Sequence, residues 1–383
     1  MKLCVITCYS QPDYVRAVTL RSAADRLDGV DLVVVKNSHT GILRYFEIVA
    51  KLLMVRFRQN PDVYLLTFRG YEMLLPVRLL SLGKSLVYDE FINPIEWVVK
   101  EKRQVRAKNG SGRLYAATVR LASRLIVAVV ASPAFRYLYK TLIESVDTVL
   151  TDTASHADIS AELTGVRRDK FFPIPVGTDE KVFTNTTKRS DNDTFTVLYY
   201  GNMLPLHGLS HVIEAATIMA HDKVKFVLVG GDKQVADDVA AAITQGARID
   251  YRPWVEFDKL PELMRSADLC LAGPFGDTFQ AQYVITGKAY QFLAIGRPTV
   301  VGANLESGVF TDKTDALIVT RGDADALVRT IEWAKANPKR LTDIGAAGRK
   351  LYDERYSNKA LVEYMRTLLL RAGADKTRPD AEA

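Results

Sequence analysis

DLCLAGPFGDTFQAQYVITGKAYQFLAIGRP, Asp268 to Pro298, is the stretch whose reading decides how this chain folds. It opens with an apolar run short enough for a buried strand, Asp268 to Pro274, and passes through a small-residue turn, Ile285-Thr286-Gly287-Lys288. A helix then carries Lys288, Gln291 and Leu293 before Gly296 ends it ahead of Pro298. Strand, turn and helix in this order build half of a parallel α/β repeat. They also build a phosphate cradle. The first N–H groups of a helix have no intrahelical partner, and with the positive end of the dipole they favour an anion. Gly287 lets the backbone approach closely, and Lys288 adds a point charge.

Outward from that stretch the same alternation recurs in two series. The first has candidate strands at 3–8, 31–36, 62–68, 85–91 and 147–152, with helical patterns such as Ile42 to Arg58 between them. The second has candidates at 194–202, 225–232, 248–254, 268–274, 298–303 and 316–320. Between the series the chain turns polar at Thr184 to Asp193 (TNTTKRSDND), which reads as a linker. The expected organisation is α/β. A first Rossmann-like domain covers 1–183, the linker 184–193 and a second domain 194–351; an amphipathic helix at 352–370 precedes a disordered tail at 371–383. Two parallel sheets facing each other across a cleft are predicted, with ligands beyond the carboxyl ends of the strands.

Three other places in the second series point to the same end of the sheet. Gly201 closes a strand, and Asn202 and His207 follow in a turn shaped by Pro205 and Gly208. Gly230-Gly231-Asp232 closes the next strand, where backbone can approach a ligand or simply turn. Trp254-Val255 offers an aromatic plane and backbone groups for a nucleobase, with Trp254 itself read as a packing residue whose backbone neighbours matter more than its ring. Phe275, Gly276 and Asp277 extend the set at the end of Asp268 to Pro274. In the first series, Arg69, Tyr71 and Glu72 follow one strand and Asp89 and Glu90 another. These five are the acceptor-binding candidates, against the alternative that the carboxylates cap helices or pair with Arg69.

Composition narrows the classes. A chain of 383 residues, 48% hydrophobic and 25% charged, can bury two cores. Its three cysteines, Cys4, Cys8 and Cys270, lie in or beside apolar runs with no second ligand cluster, which argues against a disulfide framework or structural zinc and for a reduced, cytoplasmic setting. No run approaches the roughly twenty apolar residues of a membrane span. The net charge of +6 is uneven: ten basic residues against Glu101 between Lys100 and Lys140 give that segment +9 and leave −3 elsewhere. Arg113, Arg120 and Arg124 share a helical stripe, and LIVAVVA (125–131) follows. One reading is an anionic membrane surface docked through residues 100–140; the other is an ordinary domain helix with solvated arginines. Nucleic acid is disfavoured, because the cluster lacks interleaved stacking platforms.

The ordered succession LYYGNMLPLHG, FVLVGGD, YRPWVEFDKLPELMRSADLCLAG and GKAYQFLAIGRPTVVG resembles the donor-binding half of glycosyltransferase family 4, retaining enzymes of the GT-B fold, over roughly residues 145 to 365. The resemblance implies transfer of a sugar from a nucleotide diphosphate sugar to a glycan or lipid-linked acceptor, with retained anomeric configuration and neither metal nor cofactor. It also implies that the helix at 352–370 crosses back onto the first domain. This chain departs from the pattern: the family's arginine and lysine on the diphosphate fall on Asn202 and His207, and its paired glutamates on Tyr283 and Gln291. Variants with a Pro-Leu-His-Gly loop look similar, which casts Lys288 and His207 as substitute phosphate ligands and Gln291 as a ribose contact through its amide. The missing acidic pair motivates the alternative of a non-catalytic sugar-nucleotide-binding subunit.

Overall fold

The computed structural model describes residues 1–100, 124–184 and 194–374. The linker residues from 185, the tail from 375 and most of the basic segment, including Arg113 and Arg120, lie outside the described residues.

Contacts divide the chain into two units, Met1–Pro175 with the residues from Val362 onward, and Val176–Leu361. The division falls ahead of the polar stretch at 184–193, and the interactions of residues 176–183 explain why. Glu180 accepts hydrogen bonds from Tyr352 Oη (3.1 Å) and from Asn358 N and Nδ2 (2.8 Å each), and Phe183 packs edge-on against Phe257. These residues are thereby pinned to the second unit. Polarity marked a change of composition there, while the contacts changed eight residues earlier.

The first unit contains six parallel strands: β1 (Lys2–Thr7), β2 (Asp31–Lys36), β3 (Val63–Leu66), β4 (Ser85–Asp89), β5 (Thr148–Thr151) and β6 (Phe171–Pro173), in the order β2-β1-β3-β4-β5-β6. Its helices are α1 (Val15–Asp25), α2 (Leu43–Arg58), α3 (Leu74–Leu80), α4 (Arg124–Ala131), α5 (Pro133–Ser145) and α6 (Ala154–Thr164). Strand β6 was not read from sequence as a strand; it is short, ends on Pro173 and pairs only with β5, as a proline-bearing edge strand should. Buried Ile6, Leu66, Leu86 and Val149 are among the residues that join Ile48, Leu52 and Val55 of α2 and Ile143 of α5 in one core.

In the second unit β7 (Phe195–Tyr200), β8 (Val224–Val229), β9 (Ile249–Arg252), β10 (Leu269–Leu271), β11 (Thr299–Gly302) and β12 (Leu317–Val319) form a parallel sheet in the order β12-β11-β10-β7-β8-β9. The helices are α7 (Leu209–Ile218), α8 (Lys233–Thr244), α9 (Leu260–Ser266), α10 (Gly287–Ile295), α11 (Ala324–Ala336) and α12 (Pro338–Arg355). Helix α13 (Asn358–Ala374) starts in this unit and, from Val362, counts with the first. The helix expected at 352–370 is therefore two: α12 runs through Tyr352, the chain breaks at Tyr356-Ser357, and the Ser357 hydroxyl accepts from Ala360 N to start α13.

A parallel sheet places all its strand carboxyl ends along one edge. In the second unit the loops after β7, β8, β9 and β10 therefore emerge together.

Candidate functional site: the strand-end edge of the second unit

Close backbone packing organises this edge. A Cβ on Gly230 would lie 2.2 Å from the Gly201 carbonyl oxygen, and one on Gly208 would lie 2.4 Å from Gly276 N. Neither position has room for a side chain, so the loops after β7, β8 and β10 interlock through glycine backbone. Gly276 N donates to Leu206 O at 3.0 Å, clamping the Pro205–His207 turn against the end of β10.

A cavity of about 380 Å³ opens beside these loops. It is lined by Gly201, Asn202, Met203, Gly230, Gly231, Asp232, Val235, Pro253 and Trp254. Six of the predicted site residues thus come together, with Met203, Val235 and Pro253 added. The Trp254 ring is not a packing residue; it is 73% exposed on the cavity rim. Asp232 has local work: its Oδ1 accepts from Gln234 N (3.1 Å) and Val235 N (3.3 Å), capping α8. Asn202 is exposed, Val255 half-buried.

Helix α10 supplies the charge. Gly287 is exposed, and no heavy atom lies within 4 Å of where its Cβ would sit, so the corner at the helix N-terminus is open. The Thr286 hydroxyl donates to Ala272 O (2.9 Å), tying the turn to the end of β10 instead of capping α10. Lys288 turns inward and is only 5% exposed. Its ammonium has no hydrogen-bond partner, lies 4.2 Å from the Tyr199 ring centroid, and sits 3.6 Å from where a Gly201 Cβ would be. Burial without a compensating anion pushes its pKa down to about 7. Tyr199 in turn donates through its hydroxyl to His207 O at 3.3 Å, so the platform beneath Lys288 is fixed to the β7 loop. The His207 ring is half-buried on that loop.

Other expectations require revision. Gln291 is buried and its Oε1 accepts from the Tyr200 hydroxyl, so any ribose contact falls to its Nε2 donors. Tyr283 is a core residue packed edge-on against Phe279. Phe275 is likewise core and Ile285 is buried, leaving their backbones; Asp277 is exposed. Neither α10 nor the turn before it lines the cavity; Lys288 approaches it from behind Gly201. Sequence reasoning missed Tyr199 and Tyr200. Adjacent strand residues point to opposite faces, and two buried phenols at a strand end each need a polar partner, which was the available signal.

In the first unit the acceptor candidates are mostly consumed by structure. Asp89 is buried and paired, with Arg16 and not with Arg69: Arg16 Nη2 donates to its Oδ1 at 2.9 Å, and Phe68 N donates to Oδ2 at 3.3 Å. Glu90 is also buried; it accepts from Tyr139 Oη (2.5 Å) and Asn93 Nδ2 (3.2 Å), and burial raises its pKa. Glu72 accepts from Arg44 (3.2 Å) and the Tyr45 hydroxyl. Arg69 donates to Tyr71 Oη (3.0 Å) with its guanidinium 5.6 Å from that ring. Buried strand-end carboxylates demand partners, and here the chain supplies them internally.

Residues 194–337 match the family model described as Glycosyl transferases group 1. Among curated proteins no relative matches. Among solved structures, Anabaena Alr3699/HepE in complex with UDP-glucose is similar, with a TM-score of 0.67 at 15% identity over 97% of this chain and 99% of that one. Sucrose-phosphate synthase from Thermosynechococcus elongatus is similar with a TM-score of 0.66 at 16% identity over 98% and 100%. A glycosyltransferase from Rickettsia africae ESF-5 gives 0.67 at 11% over 98% and 99%. The two six-stranded parallel sheets with their helices are those of the GT-B fold, and fold and family match together support the GT-B glycosyltransferase superfamily.

Proposed function

We propose that this chain is a retaining glycosyltransferase, a family 4 variant without the paired glutamates, that moves a sugar from a nucleotide diphosphate sugar to a glycan or lipid-linked acceptor. The observation that carries this reading is Lys288: a buried ammonium without a hydrogen-bond partner, in the first turn of α10, behind a glycine-walled cavity. An unpaired buried charge is costly, and a diphosphate would satisfy it. The base stacks at Trp254, the sugar-diphosphate follows the Gly201 and Gly230 backbones, and the diphosphate meets Lys288 and the open N–H groups at Gly287.

Chemistry follows from where charge grows. The bond from the anomeric carbon to the phosphate oxygen breaks while the acceptor oxygen bonds to the same face of that carbon. The acceptor's proton passes to a donor phosphate oxygen, and the nucleotide diphosphate leaves. Lys288 and the helix donors act mainly on that departing charge, so they favour the transition state over the bound donor. His207 and Asn202 border the same region and hold the phosphates or the sugar. Because a resident cation already offsets the leaving group, turnover is expected to persist in EDTA.

The absence of a carboxylate at Tyr283 and Gln291 favours a second reading, a non-catalytic sugar-nucleotide-binding subunit. Incubation with a donor panel, starting with UDP-glucose because the HepE structure holds it, separates the two. Nucleotide diphosphate release that a Lys288→Ala variant lacks supports transfer. Binding without release supports the subunit, and no binding at all sinks both.

A further inference from the structure

Helix α2 of the first unit has two apolar sides. Ile48, Leu52 and Val55 are buried in the core, while Leu43, Phe46, Leu53, Met54 and Phe57 are exposed. On a helix of 3.6 residues per turn the second set falls on the side opposite the first. A surface helix should present polar groups there, and one that is apolar all round is normally enclosed. Phe46 is 67% exposed and Phe57 81%. The pattern continues along the layer: α2 packs beside α3, which exposes Leu75 and Leu79, and α3 packs beside α5. Next to α5, helix α4 exposes Leu125, Ile126 and Val129.

We propose that the outward side of this α2–α3–α5 layer, with α4, docks on an anionic lipid bilayer. Charge selects that occupant. Residues 42–58, 74–82 and 124–145 hold eight basic and two acidic residues, a surplus of +6 equal to that of the whole chain, so all other residues sum to zero. Protein interfaces are depleted of charge at their centres, whereas a lipid surface rewards apolar side chains ringed by arginine and lysine, whose stems reach along the apolar surface while their heads stay with the phosphates. The layer lies on the membrane and does not span it. Among the described residues no single helix is long and apolar enough to cross, and the pair α4–α5, which passes that test only jointly, is bent by 63°. Tyr139 and Ile143 hold α5 in the core of the unit. This surface is independent of the transferase reading, and residues 101–123 are not needed for it.

The test uses the full chain with vesicles of phosphatidylcholine alone or mixed with phosphatidylglycerol. Cosedimentation with the anionic vesicles, weakened by salt, is expected. Phe46→Ser/Phe57→Ser should lower the partition coefficient about 30-fold, and Arg58→Ala/Arg136→Ala about tenfold. All four side chains are exposed, so circular dichroism and nucleotide binding should be unchanged; that control separates failure of this proposal from failure of the donor site. Binding that ignores phosphatidylglycerol, or is unaltered in both variants, overturns the proposal. So does a protein that ignores vesicles but self-associates in a manner abolished by the phenylalanine changes, because the face is then a contact between copies.

Discussion

Two buried cations occupy the second position of a helix that follows a parallel strand, Arg16 in α1 and Lys288 in α10, and their surroundings are opposite. Arg16 is enclosed by acceptors: Asp89 takes Nε (3.1 Å) and Nη2 (2.9 Å), Ile174 O and Pro175 O take Nη1 (2.5 and 3.0 Å), and Thr151 O also takes Nη2 (3.2 Å). Lys288 has only the Tyr199 ring. A cation whose partners are all internal ties strands together. One left without an anion is poised for a ligand that brings it. Both sheets are six-stranded and parallel, though their strand orders differ; on the proposed reading the strand-end edge serves stability in the first unit and binding in the second.

The largest effect expected from breaking this contrast is at Arg16. Replacing it by Met leaves the buried Asp89 carboxylate without its cation, with Phe68 N still donating to it, and should cost about 3–5 kcal/mol, read from urea unfolding of the first unit. Adding Asp89→Leu should restore much of that loss, since removing both charges leaves nothing unpaired. A single variant with unchanged stability would mean that the pair is not structural.

The same change at Lys288 should behave differently. Lys288→Met is expected to lower turnover about 100-fold, as for loss of one transition-state donor, while thermal stability holds or rises because a desolvated charge has gone. Near-normal turnover removes Lys288 from the chemistry. A large fall in melting temperature would show that its side chain is a packing element, as Arg16 is.

Acidity sharpens the point further. Folding lowers the Lys288 pKa from 10.5 to about 7. Between those values the unfolded chain carries a proton that the empty folded protein lacks, so the ligand-free stability from this group rises with pH over that window and is least below pH 7. Diphosphate binding has the opposite sign. The anion favours the ammonium, so binding takes up a proton above pH 7, and affinity should fall by nearly tenfold per pH unit there. Titration calorimetry in buffers of different ionisation enthalpy would detect the proton, and Lys288→Met should flatten the profile. A flat profile in the unmodified protein contradicts the assignment.

The contrast also explains what could be read in advance. Both sheets were legible because apolar runs such as Asp31–Lys36 and Phe195–Tyr200 are local patterns, and the helix start at Gly287-Lys288 was legible because strand, turn and helix follow one another directly in the sequence. Asp89 and Glu90 also end a strand, and sequence placed them in a site. Only the fold brings Arg16 within reach of Asp89, 73 residues away, and Tyr139 within reach of Glu90, 49 away. The exposed side of α2 was hidden for the complementary reason: leucine and phenylalanine read as core until burial shows which half of them faces out. A partner distant in sequence leaves no local signature, so strand-end acids cannot be sorted into ligands and struts by spacing alone.

Trp254 is an exposed aromatic member of the site, and it tests whether position on the edge separates binding from catalysis. Trp254 lines the cavity and Lys288 does not, so on the proposed reading the ring meets the base and not the reacting bond. Stacking there acts equally on bound donor and transition state, which lowers KM without raising kcat. Trp254→Ala should therefore raise KM and the nucleotide Kd about fivefold, in line with the roughly 0.5–1.5 kcal/mol of an aromatic pair, with kcat at saturating donor unchanged. Lys288→Met should do the reverse, depressing kcat far more than KM. If the tryptophan change lowers kcat instead, the ring positions the sugar, and exposure no longer distinguishes the groups that hold the donor from those that release it.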